Sequence, residues 1–165
     1  CCMLCEGCMA DWSGIYFQKI VHAKTFATIG YVAFTATMAS GRFVGDKLVT
    51  KFGVKHILQL SGVLIATGLF TLVLLPYMAT ATAGCLLIGI GVSCVVPMVF
   101  ALAGRSSKMS PGMALAAVST ISFLGFLSGP PLIGFIAQAS NLRWSFTVVA
   151  LLGLGTTVLA SRIRV

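Results

Sequence analysis

Long apolar stretches alternate with short polar breaks along this chain. From residue 25 onward the apolar blocks run over 25–41, 57–75, 80–103, 112–139 and 144–160. Residues 1–18 make a sixth block, which the chain enters part-way along. About 20 residues of helix cross the hydrocarbon core of a bilayer, with about 17 to 25 tolerated and a little more when the helix is tilted. The pattern predicts an all-α, polytopic membrane protein with six transmembrane helices, folded as one domain over 1–165.

Composition agrees with the pattern. The chain is 58% hydrophobic and 8% charged, against about 25% charged for a soluble domain. Its net charge of +8 would suggest nucleic acid or an acidic partner if the basic residues were clustered. They instead fall in the breaks. Alternate breaks divide them unequally, with Arg42, Lys47, Lys51, Lys55, Arg105, Lys108, Arg162 and Arg164 on one side and Lys19, Lys24 and Arg143 on the other. Basic residues concentrate in cytoplasmic loops, so the loops after the second and fourth helices, and the C-terminus, are expected in the cytoplasm. Six crossings then place the N-terminus there too. No basic patch is left over, and no nucleic-acid partner is expected.

Cys1, Cys2, Cys5 and Cys8 lie in the first helix, and Cys85 and Cys94 in the fourth. Cys2, Cys5 and Cys8 recur at every third residue, a spacing that metal and redox sites also use. His22 and His56 fall in loops on opposite sides and cannot join them. The cysteines therefore read as small apolar packing residues, with no metal, cofactor or disulfide expected. The chain opens inside a helix, without an initiator Met, a basic leading segment or a cleavage site. It is expected to be part of something longer.

Trp12, Tyr16 and Phe17 close the first helix and suit a water interface. Helix two is expected to stop around Val44, followed by a long cytoplasmic connection over 45–55. Pro97 in helix four and Gly129-Pro130-Pro131 in helix five are expected to bend their helices, since proline deletes a backbone donor that neighbouring helices must compensate. Gly41 and Gly45, and Gly125 and Gly129, are spaced as small-residue faces for close helix contact.

Two acids lie at membrane depth, Glu6 and Asp11. A carboxylate in hydrocarbon is costly unless it faces protein or water, so function is the default reading. Five residues on a helix separate them by about 140° and about 7.5 Å, which puts them on different faces. Glu6, the deeper, is the candidate substrate or proton site, and Asp11 a candidate interfacial group beside Trp12. Tyr31, Thr35, Ser93, Ser119, Thr120 and Ser122 are hydroxyls at membrane depth, with Tyr31, Ser93 and Ser119 carried forward as site candidates. Such hydroxyls are commonly satisfied by a carbonyl one turn back. Kinked helices are where transporters place sites and gates.

The stretch from Gly41 to Lys55 carries the sharpest signal. Arg42 and Asp46 are spaced i, i+4 at the foot of helix two and can pair. Asp46 can also cap a short following helix, while Arg42 meets the negative end of helix two. Here the chain resembles the major facilitator superfamily, whose signature of glycines, an Asp and basic residues joins its second and third helices, with a looser copy joining the eighth and ninth. Gly41, Arg42, Gly45, Asp46, Lys51 and Gly53 resemble the looser copy, because Val49 stands where the tight form has a glycine. No arginine stands in 86–99, where the family's N-terminal half often carries one. Both departures point to the C-terminal six helices. Glu6-Gly-Cys-Met-Ala-Asp11-Trp12-Ser13 and Gly125-Phe-Leu-Ser-Gly129-Pro130-Pro131-Leu-Ile-Gly134 are similar to a bacterial branch near the fucose and sugar permeases.

The resemblance implies one half of a major facilitator fold, acting as a secondary transporter by alternating access in a bacterial cytoplasmic (inner) membrane. Its partners would be the lipid bilayer, a small-molecule substrate, possibly a proton, and an N-terminal six-helix half outside this chain. Gly41, Arg42, Gly45, Asp46, Lys51 and Gly53 would form a conformational latch. Two rivals were weighed. A membrane enzyme would need nucleophile, base or metal ligands converging at one depth, and no such set is visible. A non-transporting receptor or assembly protein is the other.

Overall fold

A computed structural model describes residues 1–105 and 109–162, and of Asp46 the backbone alone. The chain forms α1 (Cys2–Lys19), a single 3-10 turn (Lys24–Phe26), α2 (Ile29–Phe52), α3 (Val54–Leu74), α4 (Met78–Gly104), α5 (Pro111–Ala139) and α6 (Leu142–Ser161). Lys108 and Arg164 of the loop charge count, and any pairing of the Asp46 side chain, lie outside the described residues.

Four helices, α3 to α6, are long and apolar enough to cross a membrane. The first two are interrupted by charge: α1 carries Glu6, Asp11 and Lys19 in 18 residues, and α2 carries Arg42, Asp46, Lys47 and Lys51 in its second half. Composition alone therefore marks four spans.

One boundary differs sharply from expectation. Helix two does not stop near Val44, and 45–55 is not a loop. The helix runs on to Phe52, because no proline interrupts 45–52 and Lys47, Leu48 and Lys51 are good helix formers. Asp46 thus lies inside a helix and not at a helix start. Arg42 sits nearly three turns before the end, and Lys51 takes the place beside the terminal carbonyls. The whole connection to α3 is Gly53, with φ 78° and ψ 153°, a region open to glycine almost alone.

The other ends follow local chemistry. Ser110 Oγ accepts from the Met113 amide at 3.4 Å, with Pro111 opening α5. Asn141 Oδ1 accepts from the Trp144 amide at 3.1 Å at the start of α6. Both use an N-cap oxygen to satisfy an amide that the first turn leaves free.

In the bundle α3 packs between α4 and α6, α2 lies along α4, and α1 lies along α5 while also touching α2, α4 and α6. Glycines set the crossings. A Cβ on Gly68 would stand 2.6 Å from the Gly84 carbonyl oxygen, and one on Gly84 would stand 2.7 Å from that of Gly68. On the other side of α3, a Cβ on Gly62 would stand 2.7 Å from the Thr157 amide. Helix backbones touch there directly, the packing that lipid-embedded helices depend on.

Tyr16, Phe17, Phe34, Ile65, Leu69, Leu72, Ile88 and Phe146 are among the fully buried residues. Tyr16 and Phe17 were expected at a water interface and are instead in the core. The Tyr16 hydroxyl can be buried because it donates to the Leu72 carbonyl at 2.7 Å, and its ring lies 4.7 Å from that of Phe146. Cys2, Cys5, Cys8, Cys85 and Cys94 are buried and all six thiols are free. Their burial fits packing residues.

Gly53→Ala is expected to destabilise the full-length protein by about 1–3 kcal/mol, although no atom lies within 4 Å of the added methyl group. Gly112→Ala, equally open but with ordinary φ, is expected to change stability by less than about 0.5 kcal/mol. Thermal unfolding in detergent compares the two; equal stability would show that Gly53 stores no backbone requirement.

Candidate functional site

One side of α1 is sealed and the other is open. Cys2, Cys5, Met9, Ser13 and Tyr16 form a buried row, while Glu6, Ala10, Asp11, Gly14 and Gln18 remain half-buried or exposed. At 100° per residue the two acids stand about 140° apart, with Ala10, Gly14 and Gln18 at least half-open between them and Gly7 and Phe17 buried in the same arc. The sequence placed them on different faces. In the structure both flank one partly uncovered arc, because Cys5 and Tyr16 pack on α6 and α3 while Gly7 is seated on α5.

Glu6 is half-buried. Asp11 is exposed. Trp12, expected at the interface, is half-buried, donates Nε1–H to the Pro130 carbonyl at 3.1 Å and packs on Gly134. It ties α1 to α5.

That seam depends on glycine and proline together. Pro130 has no N–H, so the Phe126 carbonyl loses its donor one turn on. Gly7 faces that carbonyl so closely that a Cβ would stand 2.6 Å from it, leaving room for a Cα–H contact. Gly129 meets the Leu4 carbonyl in the same way, at 2.8 Å from its would-be Cβ. The helix around Gly129, Pro130 and Pro131 continues unbroken, as does α4 through Pro97.

The hydroxyl candidates scatter. Tyr31 is exposed on α2 and lies 6.4 Å from Phe34, ring to ring. Ser93 is 1% exposed, donates to the Ile90 carbonyl at 2.6 Å and lies under Gly41 in the seam of α2 and α4. Ser119 is half-buried on α5. Thr35 and Thr120 donate to carbonyls one turn back, Tyr31 and Ala116, each at 2.9 Å. Ser122 lines a separate cavity of about 290 Å³ with Cys1, Cys2 and Thr156.

The candidate latch is spread along one helix. Gly41 and Gly45 seat α2 on Ser93 and Cys94 of α4, and a Cβ on Gly45 would stand 2.7 Å from the Cys94 sulfur. Lys51 is exposed, its Nζ 5.4 Å from the centre of the Phe52 ring. Arg42 and Gly45 line a cavity of about 160 Å³ with Cys94, Pro97, Met98 and Arg105. Sequence reading passed over Arg105, whose one signal was its place at the end of an apolar block on the same side as Arg42. Among the described residues no group of three or more His, Cys, Asp or Glu is arranged to hold a metal.

Long apolar helices and glycine crossings define a multi-pass helical membrane protein. The chain belongs to the Major Facilitator Superfamily, whose family model matches residues 3–165. It is 38% identical over 159 residues to an uncharacterised MFS-type transporter of Yersinia pestis, covering 96% of this chain and 41% of the relative. It is 34% identical over 152 residues to the membrane protein MosC of Rhizobium meliloti, covering 92% and 37%. An uncharacterised transporter of Sinorhizobium fredii is 32% identical over 156 residues, covering 94% and 41%. The chain thus spans about two fifths of the length of the relatives it matches. No solved structure matches it. The Yersinia and Sinorhizobium relatives carry transporter names.

Gly7→Ala is expected to cost about 1–3 kcal/mol by overpacking, because the methyl group meets backbone that cannot swing aside. Gly125→Ala, whose Cβ would stand 3.9 Å from the nearest atom, the Leu4 nitrogen, is expected to be tolerated. Unfolding midpoints of the two full-length variants test this; equal midpoints would mean that α1 and α5 separate freely there.

Proposed function

We propose that the chain is the C-terminal six-helix half of a secondary transporter that moves a small solute by alternating access, driven by a proton or other ion gradient. The observation that carries this reading is the match to the Major Facilitator Superfamily along nearly the whole chain, with Glu6 half-buried on α1. The substrate would bind between this half and an N-terminal six-helix half, against the open side of α1. Glu6 would take and release the coupling proton, with Asp11, Tyr31, Ser93 and Ser119 as further candidates for the path. Arg42 and Asp46, with Gly41, Gly45, Lys51 and Gly53, would latch the cytoplasmic foot of α2. The Glu6 and Gly129 stretches favour a substrate range near that of the fucose and sugar permeases.

All six helices are proposed to cross the bacterial inner membrane, with both ends of this segment in the cytoplasm. The unequal loop charge supports that orientation. A cysteine placed at Tyr77, between α3 and α4, is expected to react with an impermeant thiol reagent from outside the cell, and one at Lys51 only from inside. The reverse pattern would overturn the topology.

Glu6→Gln keeps shape and hydrogen bonding but cannot titrate. In the full-length protein it is expected to abolish accumulation driven by a pH gradient while substrate exchange across the membrane continues. Full pH-driven accumulation by the variant would remove Glu6 from proton coupling.

A further inference from the structure

We propose that the cavity between the feet of α2 and α4 binds an anionic phospholipid, with its phosphate held by Arg42 and Arg105. The cavity measures about 160 Å³ and takes both arginines into its lining, one from each helix. Both side chains are exposed. Two arginines lining one cavity, from α2 and from the end of α4, suit a phosphate, which accepts paired N–H donors.

The rest of the wall selects a lipid over a free anion. Val49, Val54, Pro97, Met98, Ala101 and Leu102 present hydrocarbon and offer a free phosphate little in exchange for its lost water. A phospholipid brings glycerol and acyl carbon into the same space. Arg42 also stands where a headgroup would. Phe43 and Val44 beside it expose apolar side chains, at 85% and 51%, and Lys47 and Lys51 follow, both exposed. The surface changes from hydrocarbon to positive charge within two turns, the arrangement by which basic pockets between membrane helices recognise acidic headgroups. Asp46 stands on the same helix, and its side chain lies outside the described residues. A guanidinium carries five N–H donors, so Arg42 can serve a carboxylate and a phosphate together.

The orientation proposed above decides only which leaflet supplies the lipid. The site itself is tested on the purified full-length transporter in non-ionic detergent, by native mass spectrometry with phosphatidylglycerol or phosphatidylcholine of matched chains. Phosphatidylglycerol is expected to be retained at least about tenfold better, and the double variant R42Q/R105Q to lose about tenfold of that retention. K47Q/K51Q is expected to keep most of it. Equal retention of the two lipids would overturn the site. So would full retention by R42Q/R105Q, or an equal loss in K47Q/K51Q, which would mean diffuse surface charge. Displacement of phosphatidylglycerol by millimolar inorganic phosphate would also overturn it, assigning the arginines to a free anion. Should the double variant fail to fold, R105Q alone carries the test, with a loss of at least about threefold expected and no loss overturning the site. Retention in detergent reads neither transport nor sidedness, so failure of either reading leaves this result distinguishable.

Discussion

Direct contact between helix backbones is the constraint on which the rest of this structure depends. In lipid, helices gain nothing by hiding apolar side chains from one another, so association falls to close packing and hydrogen bonds between helices. Gly68 against Gly84, Gly62 against Thr157 and Gly7 against Phe126 bring backbones together where any Cβ would collide with main-chain atoms. Among the described residues few side-chain hydrogen bonds tie distant segments: Tyr16 to Leu72, Trp12 to Pro130, Ser145 to Ile133 and Thr157 to Gln59, with the thiols of Cys5 to Val149 and Cys94 to Gly41. Each ends on a carbonyl, the group that helix geometry leaves with a spare lone pair.

The same constraint bears on the charged candidates of α1 and α2. Glu6 is adjacent in sequence to Gly7, whose main chain meets the Phe126 carbonyl of α5. Arg42 stands between Gly41 and the residues leading to Gly45, both seated on α4. In each case charge and close contact alternate along one turn of helix. The scaffold fixes the backbone and leaves the side chain to respond.

The helical blocks were legible in the sequence because hydrocarbon thickness imposes a length and because charge is excluded from it. What could not be read was continuity across charge. Residues 45–52 look like a loop by polarity, yet polarity says nothing about helix formation once the chain has left the membrane. Only Gly53, with its positive φ, breaks the helix. Tyr16 and Phe17 failed differently: aromatic residues near a helix end suit an interface and a core equally, and the Leu72 carbonyl that decides the matter for Tyr16 lies 56 residues away in sequence. Arg105 was missed because a pair formed between two helices leaves no spacing to find.

Proline gives the last link between packing and function. Pro130 removes the donor of the Phe126 carbonyl, and a helix in lipid cannot leave that oxygen unmatched without cost. Gly7 supplies the approach, and Trp12 grips the Pro130 carbonyl a turn further along α1. The two contacts bracket Asp11 and lie beside Glu6. A shift of α5 that opened the bundle would have to break a hydrogen bond and uncover a carbonyl at once, both next to the acids. A shift of α5 is therefore felt beside Glu6 through the main chain at Gly7 and the side chain of Trp12.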